Sequence, residues 1–145
     1  MLNSRDVTGI YVTLNIEGVP SLLVMLGADG SINRFGTGAV DNSEKQMCIG
    51  IVPPTLFEKL RSHITDELLK WIGGRADSNP KGKVCELTIG FMLANKEERT
   101  ILFRYGSESM GPPPEVKRFL LAAVEATSLW YEEFKAQTVK QSPTT

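Results

Sequence analysis

Cysteine, histidine, net charge and long apolar runs are all scarce in this chain of 145 residues, and each scarcity excludes something. The two thiols, Cys48 and Cys85, are too few for a disulfide framework or a four-thiolate zinc centre. One histidine, His63, would leave a transition metal to carboxylates for most of its ligands, so no metal and no cofactor is expected. A membrane helix needs ~18 apolar residues. The strongest apolar run, residues 19–26, is interrupted by Pro20 and Ser21, so no membrane is expected. The first residues, Met1 to Asp6, lack the apolar stretch of a signal peptide, and the expectation is a cytoplasmic protein with reduced thiols. With 16 basic against 17 acidic side chains the net charge is −1, which offers no long-range attraction for a phosphate backbone. Nucleic acid therefore ranks last among partners.

Catalytic signatures are missing as well. Gly36-Thr37-Gly38 with Lys45 nearby lacks the spacing of a nucleotide-phosphate loop. Gly106-Ser107-Glu108-Ser109 lacks the second glycine of a hydrolase nucleophile turn. His63 flanks the apolar stripe of its helix, with Asp66 and Glu67 in pairing range, and reads as a rim histidine with no nucleophile beside it.

What is present is periodicity. Hydrophobic residues make up 41% of the chain, enough at this length for one folded domain. Residues 7–16 alternate strictly, with Ile10, Val12, Leu14 and Ile16 on one side and Tyr11, Thr13 and Asn15 on the other, as in a half-buried strand. Strands follow at about 21–26 and 31–35, separated by glycine turns. Pro53-Pro54 opens a helix over about 54–71 that buries Phe57, Leu60, Ile64, Leu68 and Trp71, and Gly73-Gly74 stops it. Residues 75–83 read as a polar connector. Two more alternating segments, 84–93 and 100–105, form a hairpin with Cys85, Leu87, Ile89, Phe91, Leu93, Ile101, Phe103 and Tyr105 inward. A long helix over about 115–135 carries the stripe Val116, Phe119, Leu120, Ala123, Thr127, Trp130, Tyr131 and Phe134. The expected fold is α+β: an antiparallel sheet of about five strands, order βββαββα, with two helices on one face. Residues 1–136 form the domain and residues 137–145 a flexible tail. The halves echo each other, Met25 and Arg34 of one hairpin answering Met92 and Arg104 of the other, as a duplicated ββα unit would.

Parity then defines a second sheet face. If the apolar residues above point to the helices, the other side carries Tyr11, Thr13, Leu23, Met25, Arg34, Thr88, Met92, Leu102 and Arg104. That mixture is more apolar than a solvated sheet requires and suits recognition. The third strand strains the scheme, because Ile32 shares the parity of Arg34 and would point outward with it unless a bulge intervenes. Three readings of the face compete: cover by the 37–52 segment, whose Met47, Ile49 and Ile51 need burial; pairing with a second copy; or a ligand or protein partner. Cys48, in the same segment, reads as the more exposed thiol.

The functional expectation is a non-enzymatic binding or adaptor domain, a homodimer, using the face free of helices, with Tyr11, Met25, Arg34, Met92 and Arg104 as its binding residues. The two arginines would grip a carboxylate or phosphate, so a small anionic ligand is the alternative occupant. The competing function is a small enzyme whose carboxylate and arginine pocket lies between the sheet and residues 37–52, with Glu44, Thr37, Arg34 and Tyr11 as its groups.

Overall fold

A computed structural model describes residues 2–37 and 46–141, with side chains to residue 137. After a short 3-10 turn at Ser4–Asp6, the strands β1 (Val7–Ile16), β2 (Val19–Gly27), β3 (Ser31–Gly36) and β4 (Cys48–Ile51) run as a meander. Helices α1 (Thr55–Arg61) and α2 (Asp66–Leu69) carry the chain to β5 (Gly73–Ala76). The hairpin β6 (Val84–Leu93) and β7 (Glu98–Gly106) and the long helix α3 (Pro114–Gln141) complete the fold. All seven strands join one sheet, in the order β4-β3-β2-β1-β6-β7-β5. Every pairing is antiparallel except that of β5 with β7, so the sheet is mixed.

The class is α+β as expected, but among the described residues seven strands and three helices replace five and two. Each added element has a local cause. Residues 73–76, expected within a helix stop and connector, hydrogen-bond along β7 as a parallel edge strand. Gly73 enters that strand at φ 123°, a conformation L side chains rarely adopt. The expected single helix over 54–71 breaks between Arg61 and Asp66. Ser62 and His63 turn their side chains onto the Lys59 carbonyl, at 2.5 and 2.9 Å, and compete with the helical ladder. Thr65, extended at ψ 163°, then caps α2 by accepting from Leu68 N–H at 3.2 Å. The apolar stripe survives the break: Phe57, Leu60, Ile64 and Leu68 are buried and Trp71 half-buried. Helix α3 runs on through Gln141, so the stretch expected to be tail is helical at least that far.

One core lies between the sheet and the helix layer. Ile10, Val12 and Leu14 of β1, Leu22, Val24 and Leu26 of β2, and Leu87, Ile89 and Phe91 of β6 meet Phe57, Leu60 and Leu68 below and Val116, Phe119 and Ala123 of α3. Phe91 and Phe119 meet edge to face at 5.9 Å. Burying a large apolar side chain fully contributes roughly 1.5–3 kcal/mol, which is why strand phase and helix stripe converge on one layer. Cys85 is buried in that layer as expected. Burial and the charge of Glu17 raise its thiol pKa, which keeps it in its unreactive form.

Candidate functional site: the uncovered sheet face

Because all three helices pack on one side, the pleat sends every second side chain of the sheet to the other. Across the ladder that face carries Ile49 and Ile51 of β4, Asn33 and Phe35 of β3, Leu23 and Met25 of β2, Tyr11 and Thr13 of β1, Thr88, Gly90 and Met92 of β6, and Leu102 and Arg104 of β7. Cross-strand partners confirm the phase: Tyr11 stands opposite Met25, and Thr13 opposite Leu23. Much of the face is apolar and open, with Met25 39%, Met92 36%, Ile49 64% and Ile51 85% exposed. Among the sequence-predicted residues, Tyr11, Met25 and Met92 are brought together. They line one cleft of about 650 Å³ with Thr8, Asp29 and Ser31. A second cleft of about 410 Å³, lined by Thr13, Leu23, Phe35 and Met47, opens nearer β4.

Tyr11 is the best-held side chain of the face. Its ring lies over Gly90, where an added Cβ would stand 2.1 Å from ring carbons, so only glycine admits it. The phenol donates to Glu98 at the start of β7. Partial burial, then that hydrogen bond and the Glu98 charge, push the Tyr11 pKa up to about 12. Tyr11 therefore stays a neutral donor at physiological pH. Glu98 is thereby tied to the face.

Arg34 is not on this face. β3 keeps an unbroken register with β2, pairing Val24 with Arg34 and Leu26 with Ile32, so no bulge separates the two side chains and both point to the helices. Arg34 is only 2% exposed. Its guanidinium donates to the Gly36 carbonyl at 3.1 Å and to Thr127 Oγ1 at 2.9 Å, and it stacks on the Tyr131 ring at 4.5 Å. The outward position expected for Arg34 rested on assigning an arginine to solvent, and here the arginine is buried. With Ile32 buried on the same side, α3 supplies Arg34 with the polar partner and the ring that a buried cation requires. Asn33 and Phe35 take the outward positions instead. Arg104 does stand on the uncovered face, exposed and bridged to Glu86 at 3.0 Å. The expected two-arginine grip therefore does not form, and the two arginines aligned by the internal echo stand on opposite sides of the sheet. Arg104 instead lines a 580 Å³ cleft at the β5 edge, with Arg75, Lys81, Asp77 and Glu108.

The described part of the 37–52 segment does not cover the face. Residues Cys48–Ile51 join β3 edge to edge, leaving Met47 43% exposed beside the still more open Ile49 and Ile51. Cys48, expected to be the more exposed thiol, is buried, because it stands opposite Arg34 on the helix side. Of the groups named for an enzyme pocket, Glu44 lies outside the described residues, Thr37 is exposed, and Arg34 belongs to the opposite face. His63 is exposed at the end of α1. Among the described residues, no three histidines, cysteines or acids converge as metal ligands, and no helix is long and apolar enough to cross a membrane.

No family model and no curated protein matches the sequence. Function therefore has to be argued from this geometry. Sequence reasoning missed Phe35, Ile49 and Ile51 as members of the face. The signal available was the run 46–52, Gln-Met-Cys-Ile-Gly-Ile-Val, apolar for six residues without a charge.

Proposed function

We propose that this chain is a non-enzymatic binding domain that works as a homodimer, with the uncovered sheet face as its contact surface. The observation that carries this reading is the set of apolar side chains Ile51 and Ile49 of β4, Phe35 of β3, Leu23 and Met25 of β2 and, beyond Tyr11 and Thr13 of β1, Met92 of β6, on a face bare of helices. Apolar area of that kind on a sheet marks a contact surface rather than a solvated one. A second copy fits it better than an ionic ligand does. The charges on the face are already engaged, Glu98 with Tyr11 and Glu86 with Arg104, and the net charge of −1 sets up little repulsion between copies.

The test is solution mass by light scattering together with photo-crosslinking. A photoreactive residue in place of Ile49 or Ile51 is expected to capture a second copy, and one in place of Arg118 on α3 is not. A chain that stays at its monomer mass of 16.0 kDa at every concentration, or that crosslinks only through α3, overturns the reading.

A further inference from the structure

Resting on the homodimer reading, and narrowing its contact from the whole uncovered face to the β4 end of that face, we propose that the second copy docks along the outer edge of β4, antiparallel to it, so that two seven-stranded sheets continue as one. The backbone phase of β4 is decided by one bond: Val52 N–H donates to the Gly30 carbonyl at 2.8 Å. In an antiparallel ladder, alternate residues turn their N–H and C=O toward the same neighbour. Val52, Gly50 and Cys48 thus face β3, and Ile49 and Ile51 present theirs outward, where no described residue meets them. Unpaired edges of this sort template further strand addition.

Proteins ordinarily guard such an edge with charge or proline. The opposite edge of this sheet is guarded: β5 is two glycines, an exposed arginine and an alanine, followed by Asp77, and Arg75 lies over the Trp71 ring. β4 has no guard. From Met47 to Val52 there is neither charge nor proline, and its outward residues bear the two most exposed isoleucines.

The strand is also self-complementary. With a two-fold axis through Gly50, Ile49 stands opposite Ile51 of the second copy, twice over. Both are outward-facing residues, so each pair exchanges two N–H···O bonds, and all four isoleucines meet on the uncovered face. The Tyr11, Met25 and Met92 end of that face remains open in such a dimer.

The experiment compares wild type with Ile49→Pro and Ile51→Lys by light scattering across a dilution series. Proline at 49 removes only an outward N–H and leaves the β3 ladder intact; lysine at 51 installs the missing guard. Each is expected to raise the dimer dissociation constant by roughly 100-fold or more, with far-UV circular dichroism unchanged. Met25→Glu, on the part of the face left open, should leave the dimer intact. Hydrogen exchange on the wild-type dimer gives a measure free of any folding defect: the Ile49 and Ile51 amides should be protected, and lose protection on dilution. A wild-type dimer that tolerates both β4 changes and dissociates with Met25→Glu, or whose Ile49 and Ile51 amides exchange freely, overturns the edge geometry while leaving the homodimer reading standing. A wild-type chain monomeric throughout removes both.

Discussion

Arg34 and Arg104 look interchangeable in sequence, and replacing each by alanine should have opposite consequences. Arg34→Ala removes charged donors from the Gly36 carbonyl and the Thr127 hydroxyl, contacts worth about 1.5–3 kcal/mol each. It also removes a guanidinium stacked on Tyr131, worth about 1–2 kcal/mol in a desolvated setting. Opposing these losses, the variant no longer has to desolvate a cation, a cost of several kcal/mol. The net expectation is a destabilisation of about 3 kcal/mol, or a fall in Tm of about 10 °C for a domain of this size. Arg104→Ala breaks only a bridge whose partners are 62% and 37% exposed, and should stay within about 1 kcal/mol of wild type. Urea unfolding of the two variants measures the difference directly. A double-mutant cycle of Arg34→Ala with Tyr131→Leu should show a coupling of about 1 kcal/mol or more. If both arginine variants unfold at the same urea concentration, or the cycle shows no coupling, then Arg34 does not organise the contact between β3 and α3 and the reasoning fails.

Two further outcomes follow from Tyr11 and its surroundings. Gly90→Val should cost about 1–3 kcal/mol in thermal unfolding, because its Cβ takes the place of the Tyr11 ring, and adding Tyr11→Ala should restore part of the loss. No rescue would mean that the ring is not what excludes a side chain there. Tyr11 and Tyr105 both have pKa values pushed up to about 12, Tyr105 by burial and then by Cys85, from an ordinary 10. A raised folded-state value holds the proton more tightly in the folded chain, so stability is full below pH 10 and falls as pH rises from about 10 to about 12. Denaturation midpoints across that window, with phenolate absorbance read alongside, check this; Tyr11→Phe should flatten part of the slope, and an unchanged slope would refute the assignment.

Where a segment is long and periodic, its inward side was legible before any tertiary information. β1, β2, β6, β7 and α3 turn the predicted residues toward the core, most of them buried and Leu93, Phe103, Tyr105, Leu120 and Trp130 partly so, because a pleat of two and a turn of 3.6 residues leave an alternating or striped sequence one economical orientation. The open positions of Tyr11, Met25, Met92 and Arg104 follow from the same periodicity. Tertiary structure decided what short segments do. β3 holds Ile32 and Arg34 at the same parity, and its phase depended on whether a distant helix could furnish Thr127 and Tyr131 to an arginine taken from water. β4 and β5, four residues each, have too few side chains to declare a period; they became strands because β3 and β7 offered unpaired backbone groups beside them. Local pattern determines which side of an element turns inward. Whether an edge is extended, and whether a charge can be buried, depends on partners far away in the chain.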